Sequence, residues 1–208
     1  GKREVELLDE LGLLDRRFQA VHAIDLSREE IELISQRGCT VVHNPTSNMY
    51  LATGVAPVPE LVRKHVKVAL GTDGAASNDS YNFFETMKMA SLLQKVVLRD
   101  PGAISAEQVF EMATLNGAGT LSDERNGRVE QGYRADLTVI DLKKVSTLPD
   151  YRPLNNIVYS GSPVNVEHVI VDGVPVIVDR TFISIDEQDS IEAFKMTMEK
   201  IESRMVSR

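Results

Sequence analysis

The chain has 208 residues, 42% of them apolar and 26% charged, with a formal net charge of −8. That length suffices for one large or two small globular cores, and an acidic balance with no basic stripe excludes nucleic acid as a partner. A single cysteine, Cys39, excludes an intrachain disulfide, and no apolar run reaches the roughly 18–20 residues of a membrane span.

The N-terminus, GKREVELLDELGLL, is charged and carries Val5, Leu8 and Leu11 at helical spacing. It is no signal peptide, so the expected location is cytoplasmic. Because it enters directly on a helical pattern from a glycine, the chain is expected to continue something longer. Gln19 to Ile24 (QAVHAI) then predicts a short strand. Ser27 followed by Glu30 forms a capping box for a helix with Ile31 and Ile34 on its apolar face, stopped at Gly38. CTVVH, residues 39 to 43, predicts a second strand ended by Asn44-Pro45, with Cys39 as a core thiol. A polar loop, TSNMYLATG, leads to a short helix from Pro59 to His65. VKVAL, residues 66 to 70, predicts a third strand, followed by Gly71-Thr72-Asp73-Gly74 and a helix from Tyr81 to Val97.

Continuous β-branched runs separated by helices are the pattern of a parallel sheet covered on both faces. His22, His43 and Asp73 all fall at the C-terminal ends of their strands, the edge that carries active sites in α/β folds. A capped helix over residues 105 to 117 follows, Ser105 pairing with Gln108. From Gly127 the pattern turns to β: GRVEQGYRADLTVIDL, NIVYSG and HVIVDGVPVIVDR, the last a hairpin around Asp172-Gly173. A closing helix, Asp189 to Val206, bears an apolar stripe of Ile191, Phe194, Met198, Ile201 and Met205, read as a packing face. The segments separate into 1–124, 125–185 and 186–208.

Taken residue by residue, the candidates for chemistry stay open. His65, in RKHVK, reads as surface, and His168 as structural or surface. His43 either anchors a loop or reaches a site, and His22 is either a core histidine or functional. Asp73 sits between glycines that permit unusual backbone angles and close approach, yet aspartate before glycine is also a common turn.

Read together, three stretches carry a resemblance: VVHNPTSNMYLATGVAPVPEL, VALGTDGAASNDSYNFFETMKMASLLQK and GRVEQGYRADLTVIDL. From about residue 18 to 185 the chain resembles the C-terminal half of the amidohydrolase superfamily. The group it resembles within that superfamily is the 5′-methylthioadenosine/S-adenosylhomocysteine deaminases with their chlorohydrolase-like relatives. The resemblance implies an α/β chain that forms the last strand–helix units of a (β/α)8 barrel plus part of a small β-sandwich. It implies one divalent metal, zinc in most relatives, that activates water for hydrolytic deamination of an adenosine-type purine. Asp73 then matches the aspartate ending the last barrel strand, both a metal ligand and the acceptor of the water's proton. His22 matches the histidine ending the sixth strand, which polarises the nucleophile. Ser77 lies where the family contacts the purine base. Where relatives continue that histidine as Cys-Val-His, this chain has Ala23-Ile24-Asp25.

The family's remaining ligands, an H-x-H pair and a histidine followed three residues later by glutamate, are absent from the sequence. Besides a purine nucleoside, the implied partner is therefore the missing N-terminal half or a companion chain. Association of identical chains is compatible with the pattern. The alternatives are a chlorohydrolase, a guanine- or cytosine-type aminohydrolase, or an inactive structural remnant.

Overall fold

The computed structural model describes residues 1–120 and 125–206. Residue 124, where the first segment was expected to end, lies outside them. In chain order the first elements are α1 (Glu4–Glu10), β1 (Gln19–Val21), α2 (Arg28–Arg37), β2 (Thr40–His43), α3 (Pro45–Tyr50), α4 (Val58–Arg63) and β3 (Lys67–Leu70). They are followed by α5 (Ala75–Asn78), α6 (Phe83–Leu98), α7 (Ala106–Ala113) and α8 (Leu115–Ala118). The remainder is β4 (Leu137–Ile140), α9 (Pro153–Ser160), β5 (Val166–Val171), β6 (Val174–Val178), β7 (Thr181–Phe182) and α10 (Glu187–Val206). Two compact units result, one of residues 1–133 and 142–165, the other of 134–141 and 166–208.

In the first unit, β1, β2 and β3 form a parallel sheet in that order, Gln19 opposite Thr40 and Thr40 opposite Lys67. The predicted capping box of α2 is present: Ser27 Oγ accepts from the Glu30 N–H, and Glu30 accepts in return from the Ser27 N–H. Gly38 closes the helix in the left-handed conformation that the C-terminal stop requires. Glu30 is buried and also binds Arg3 Nε at 2.7 Å, so the cap ties α1 to α2. Ile31, Ile34, Val41, Leu61, Val68, Val109 and Met112 are almost completely buried and form the core around the sheet. Cys39 is buried as expected, and that burial pushes its thiol above the ordinary value.

Gly71, directly after β3, shows how tightly the strand end is packed. A Cβ at this position would lie 2.3 Å from Asn44 Oδ1 and 3.1 Å from Val42 Cγ1, and Asn44 is itself buried. Gly71→Ala is therefore expected to destabilise the protein by about 1–3 kcal/mol through overpacking, measurable by denaturant unfolding. A change smaller than about 0.5 kcal/mol would show that this contact can relax.

Three sequence expectations are corrected in this unit. The stretch TSNMY, read as loop, forms α3: Pro45 occupies the first turn, where its fixed φ suits helix entry. NIVYSG, read as strand, lies in α9, where Pro153 starts the helix and Leu154, Ile157 and Val158 recur at helical spacing. Ile157 and Val158 are buried, and α9 packs on α6 and α7. The helix expected over 105–117 is broken at Thr114 into α7 and α8.

The second unit is an antiparallel sheet, β4-β5-β6-β7. Its Asp172-Gly173 turn has positive φ at both residues (49° and 80°), the mirror-image turn that matches strand twist. Here α10 begins two residues earlier than its pattern suggested. Its stripe, expected as a packing face, is in part strongly exposed among the described residues, Phe194 to 67% and Met205 to 72%. No helix among the described residues is long and apolar enough to cross a membrane.

Candidate active site

The parallel ladder continues one residue beyond β1, with the His22 N–H donating to Val42 O at 2.9 Å. The chain then turns sharply: His22 and Ala23 both have positive φ, 69° and 49°. This turn ends the predicted strand early and swings the imidazole over the C-terminal edge of the sheet. After β3, Asp73 also adopts positive φ, 62°. Histidine and aspartate are among the residues that tolerate the left-handed region best. Such backbone outliers concentrate at functional sites, where surrounding structure over-determines them.

The two side chains meet. His22 Nε2 lies 3.7 Å from Asp73 Oδ2, with both side chains about one-third exposed (38% and 32%). That separation exceeds a hydrogen bond and suits two groups that share a third partner. Asp73 Oδ2 accepts from Ser47 Oγ at 2.7 Å, and Oδ1 from the Gly74 N–H at 2.8 Å. The Ser47 bond first, then those from Gly74 and Ser77, holds the carboxyl below its ordinary range and keeps it ionised. His22 Nδ1 lies 2.8 Å from Asn48 Oδ1.

Ser77, on α5, is half-buried beside Asp73, and its hydroxyl donates to Gly74 O at 3.0 Å. Asn78 fastens the whole loop, its amide donating to Thr72 O and Ser80 O at 2.8 and 2.9 Å. Small residues at 74–76 let the short α5 follow Asp73 without bulk over the carboxylate.

His43, at the end of β2, is completely buried, and neither ring nitrogen has a hydrogen-bond partner among the described residues. Of the two readings of His43, anchoring a loop through ring hydrogen bonds is thus not what the imidazole does here. Burial, with a smaller contribution from His22, pushes its pKa down to about 4 from 6.5. The unfolded chain binds this proton below about pH 6.5 and the native one only near pH 4, so stability falls as pH drops through that window. The loss at residue 43 should reach about 3 kcal/mol at full protonation. Urea unfolding of wild type and His43→Leu across pH 4–7 checks this, since the variant should lack that part of the slope. Coincident slopes would contradict it.

His65 is exposed, as read from its charged surroundings. His168 and Glu167, in β5, meet Asp179, which follows β6, in the grouping of three metal-type side chains found among the described residues. His168 Nδ1 accepts from the Asp179 N–H at 3.2 Å, which places the neutral ring's proton on Nε2, facing the Asp179 carboxylate at 4.0 Å.

For a metal at Asp73 the donor set fits in part. The carboxylate is ionised, partly exposed and backed by donors, as a hard oxygen ligand should be. In the same unit, the His43 ring nitrogens, Thr46 Oγ1, Asn48 Nδ2 and Asn78 Oδ1 are buried with no hydrogen-bond partner among the described residues. No third His, Cys, Asp or Glu joins Asp73 and His22 among the described residues, whereas a hydrolytic zinc site takes three protein ligands. Ser47 and Asn48, which bond to Asp73 and His22, were not among the residues expected at the site. Pro45 at a helix start, with buried polar residues in the first turn, is the signal that points to them.

His22 and Asp73 thus meet at the C-terminal edge of a parallel sheet, the edge at which α/β folds carry their active sites. The chain belongs to the amidohydrolase family, whose model matches residues 2–176. It is 44% identical over 192 residues to the 5′-deoxyadenosine deaminase of Methanopyrus kandleri, covering 92% of this chain and 44% of that protein. It is 44% identical to the 5-methylthioadenosine/S-adenosylhomocysteine deaminase of Pyrococcus abyssi, covering 93% of this chain and 45% of that protein. Among solved structures, a zinc-bound adenosine deaminase from Xanthomonas campestris superposes with a TM-score of 0.95 at 36% identity, covering 98% of this chain and 46% of that one. The chain therefore spans slightly less than half the length of these relatives, and its parallel unit is a portion of a (β/α)8 hydrolase barrel.

Proposed function

We propose that this chain forms the C-terminal half of a metal-dependent aminohydrolase that deaminates an adenosine-type nucleoside, S-adenosylhomocysteine or 5′-methylthioadenosine. The observation that carries the reading is the Asp73–His22 pair, 3.7 Å apart on two strand ends with left-handed backbones. The relatives named above as deaminases of 5′-deoxyadenosine and of methylthioadenosine or S-adenosylhomocysteine support the substrate class.

Asp73 would hold a divalent metal, zinc as in the Xanthomonas structure, together with ligands from a segment outside this chain. Such a metal, when bound, acidifies water at neutral pH and stabilises negative charge. Asp73 takes the proton of the water that adds to the purine carbon bearing the amino group. His22 Nε2 faces the same point, and its lone pair accepts a hydrogen bond from the adding water, which polarises the nucleophile. Asp73 then returns its proton to the departing amino group, so that water and the nucleoside give the hydroxy-purine and ammonia. Ser77 borders the carboxylate, which supports its assigned contact with the base.

A groove of about 630 Å³ runs along β1, lined by residues of α1, β1 and the 22–26 turn, and Val21 on that strand is 51% exposed. We assign this face to the preceding barrel segment. The test is ammonia release by the complete protein from S-adenosylhomocysteine, 5′-methylthioadenosine and 5′-deoxyadenosine, with metal analysis expected to give about one ion per site. No release from any of the three would refute the assignment.

A further inference from the structure

We propose that Ser47 and Asn48, consecutive residues of α3, act together as the positioning pair that orients the two reacting groups. The inference rests on the reading of Asp73 and His22 given above. Ser47 Oγ donates to Asp73 Oδ2 at 2.7 Å, and Asn48 Oδ1 accepts from His22 Nδ1 at 2.8 Å. One peptide unit thus contacts both groups, which themselves come from different strand ends.

Both residues are built for this. Each is 1% exposed, so neither serves the surface. Their backbones are fixed by helical bonds: the Asn48 N–H to Asn44 O at 3.0 Å, and the Leu51 and Thr53 N–H groups to Ser47 O and Asn48 O at 2.9 and 3.0 Å. A buried polar side chain without partners is costly, and here the bonds to Asp73 and His22 are the ones the two side chains make.

The two contacts divide the task. An amide oxygen on Nδ1 requires the imidazole proton there, which leaves the Nε2 lone pair facing Asp73 Oδ2. The Ser47 hydroxyl occupies one lone pair of Oδ2 and sets the carboxylate plane, while the Gly74 N–H fixes Oδ1. Rotation of either reacting group would break a bond to a rigid helix. Misplacement by about 1 Å in such a site costs on the order of 100-fold in rate.

The test uses the complete protein with ¹⁵N-labelled histidine, the His22 signals being assigned with His22→Gln. Wild type should show the proton on Nδ1; a proton on Nε2 overturns the proposal whatever the turnover. Asn48→Ala should mix the tautomers and lower kcat at least tenfold with KM within twofold, and Asn48→Asp, which keeps an acceptor, should recover most of the rate. Ser47→Ala should lower kcat at least tenfold and Ser47→Thr restore it. An unchanged tautomer in Asn48→Ala, or kcat within twofold of wild type in Ser47→Ala, also overturns it. Complete lack of turnover alongside an Nδ1–H signature would count against the deaminase reading and leave the positioning geometry upheld.

Discussion

Asp73→Asn is expected to lower turnover of the complete enzyme about 1000-fold or more and to weaken metal binding, read by steady-state ammonia release and metal analysis of the same preparation. A general base alone contributes about 100- to 10,000-fold, and here the same carboxylate is assigned a ligand role. Asparagine is the informative replacement because it matches the volume of aspartate and tolerates the positive φ of 62° at this position. It keeps one oxygen for either the Ser47 hydroxyl or the Gly74 N–H, the two donors that aspartate satisfies together. The fold should survive, so lost activity with an unchanged unfolding midpoint isolates the charge. Near-normal rates would remove Asp73 from the reaction.

His22→Ala is expected to lower kcat about 100- to 10,000-fold while the metal content stays at that of wild type. The split follows from the assigned roles: Asp73 holds the ion, whereas His22 faces the same point from 3.7 Å. Since φ at residue 22 is 69°, alanine also adds backbone strain. His22→Asn supplies the control, because asparagine accepts that backbone. Equal losses in the two variants assign the effect to the imidazole, and loss of metal in both would make His22 a ligand instead.

Much of this arrangement could be read in the sequence, for identifiable reasons. The β-branched runs ending in His43 and Leu70, the Ser27/Glu30 box and the Gly38 stop each rest on local chemistry that tertiary packing reinforced. His22 and Asp73 drew attention as residues ending strands, but only the family resemblance gave them roles. Helix α3 was hidden because its buried side chains are polar: Ser47 and Asn48 bond to partners each 26 residues away in sequence, and hydrophobic periodicity cannot register that. In α9 the run Ile157-Val158-Tyr159 carries strand propensity, but packing on α6 and α7 and the Pro153 start decide for helix. The burial of His43 without ring partners had no sequence signature at all.

The left-handed backbones at residues 22 and 73 have a consequence for how this site can change over evolutionary time. Valine, isoleucine and threonine are barred at both positions by main-chain sterics before any chemistry is tested. The types that take this backbone most readily are glycine, asparagine, aspartate and histidine, although the chain also holds Ala23, Arg99 and Arg180 in it. Of these, histidine brings a basic ring and aspartate an ionised oxygen at neutral pH. Drift at either position therefore passes through asparagine or glycine, which keep the shape of the edge and lose its acid–base capacity. A lineage that abandoned the reaction would be expected to carry those residues on an otherwise intact barrel edge.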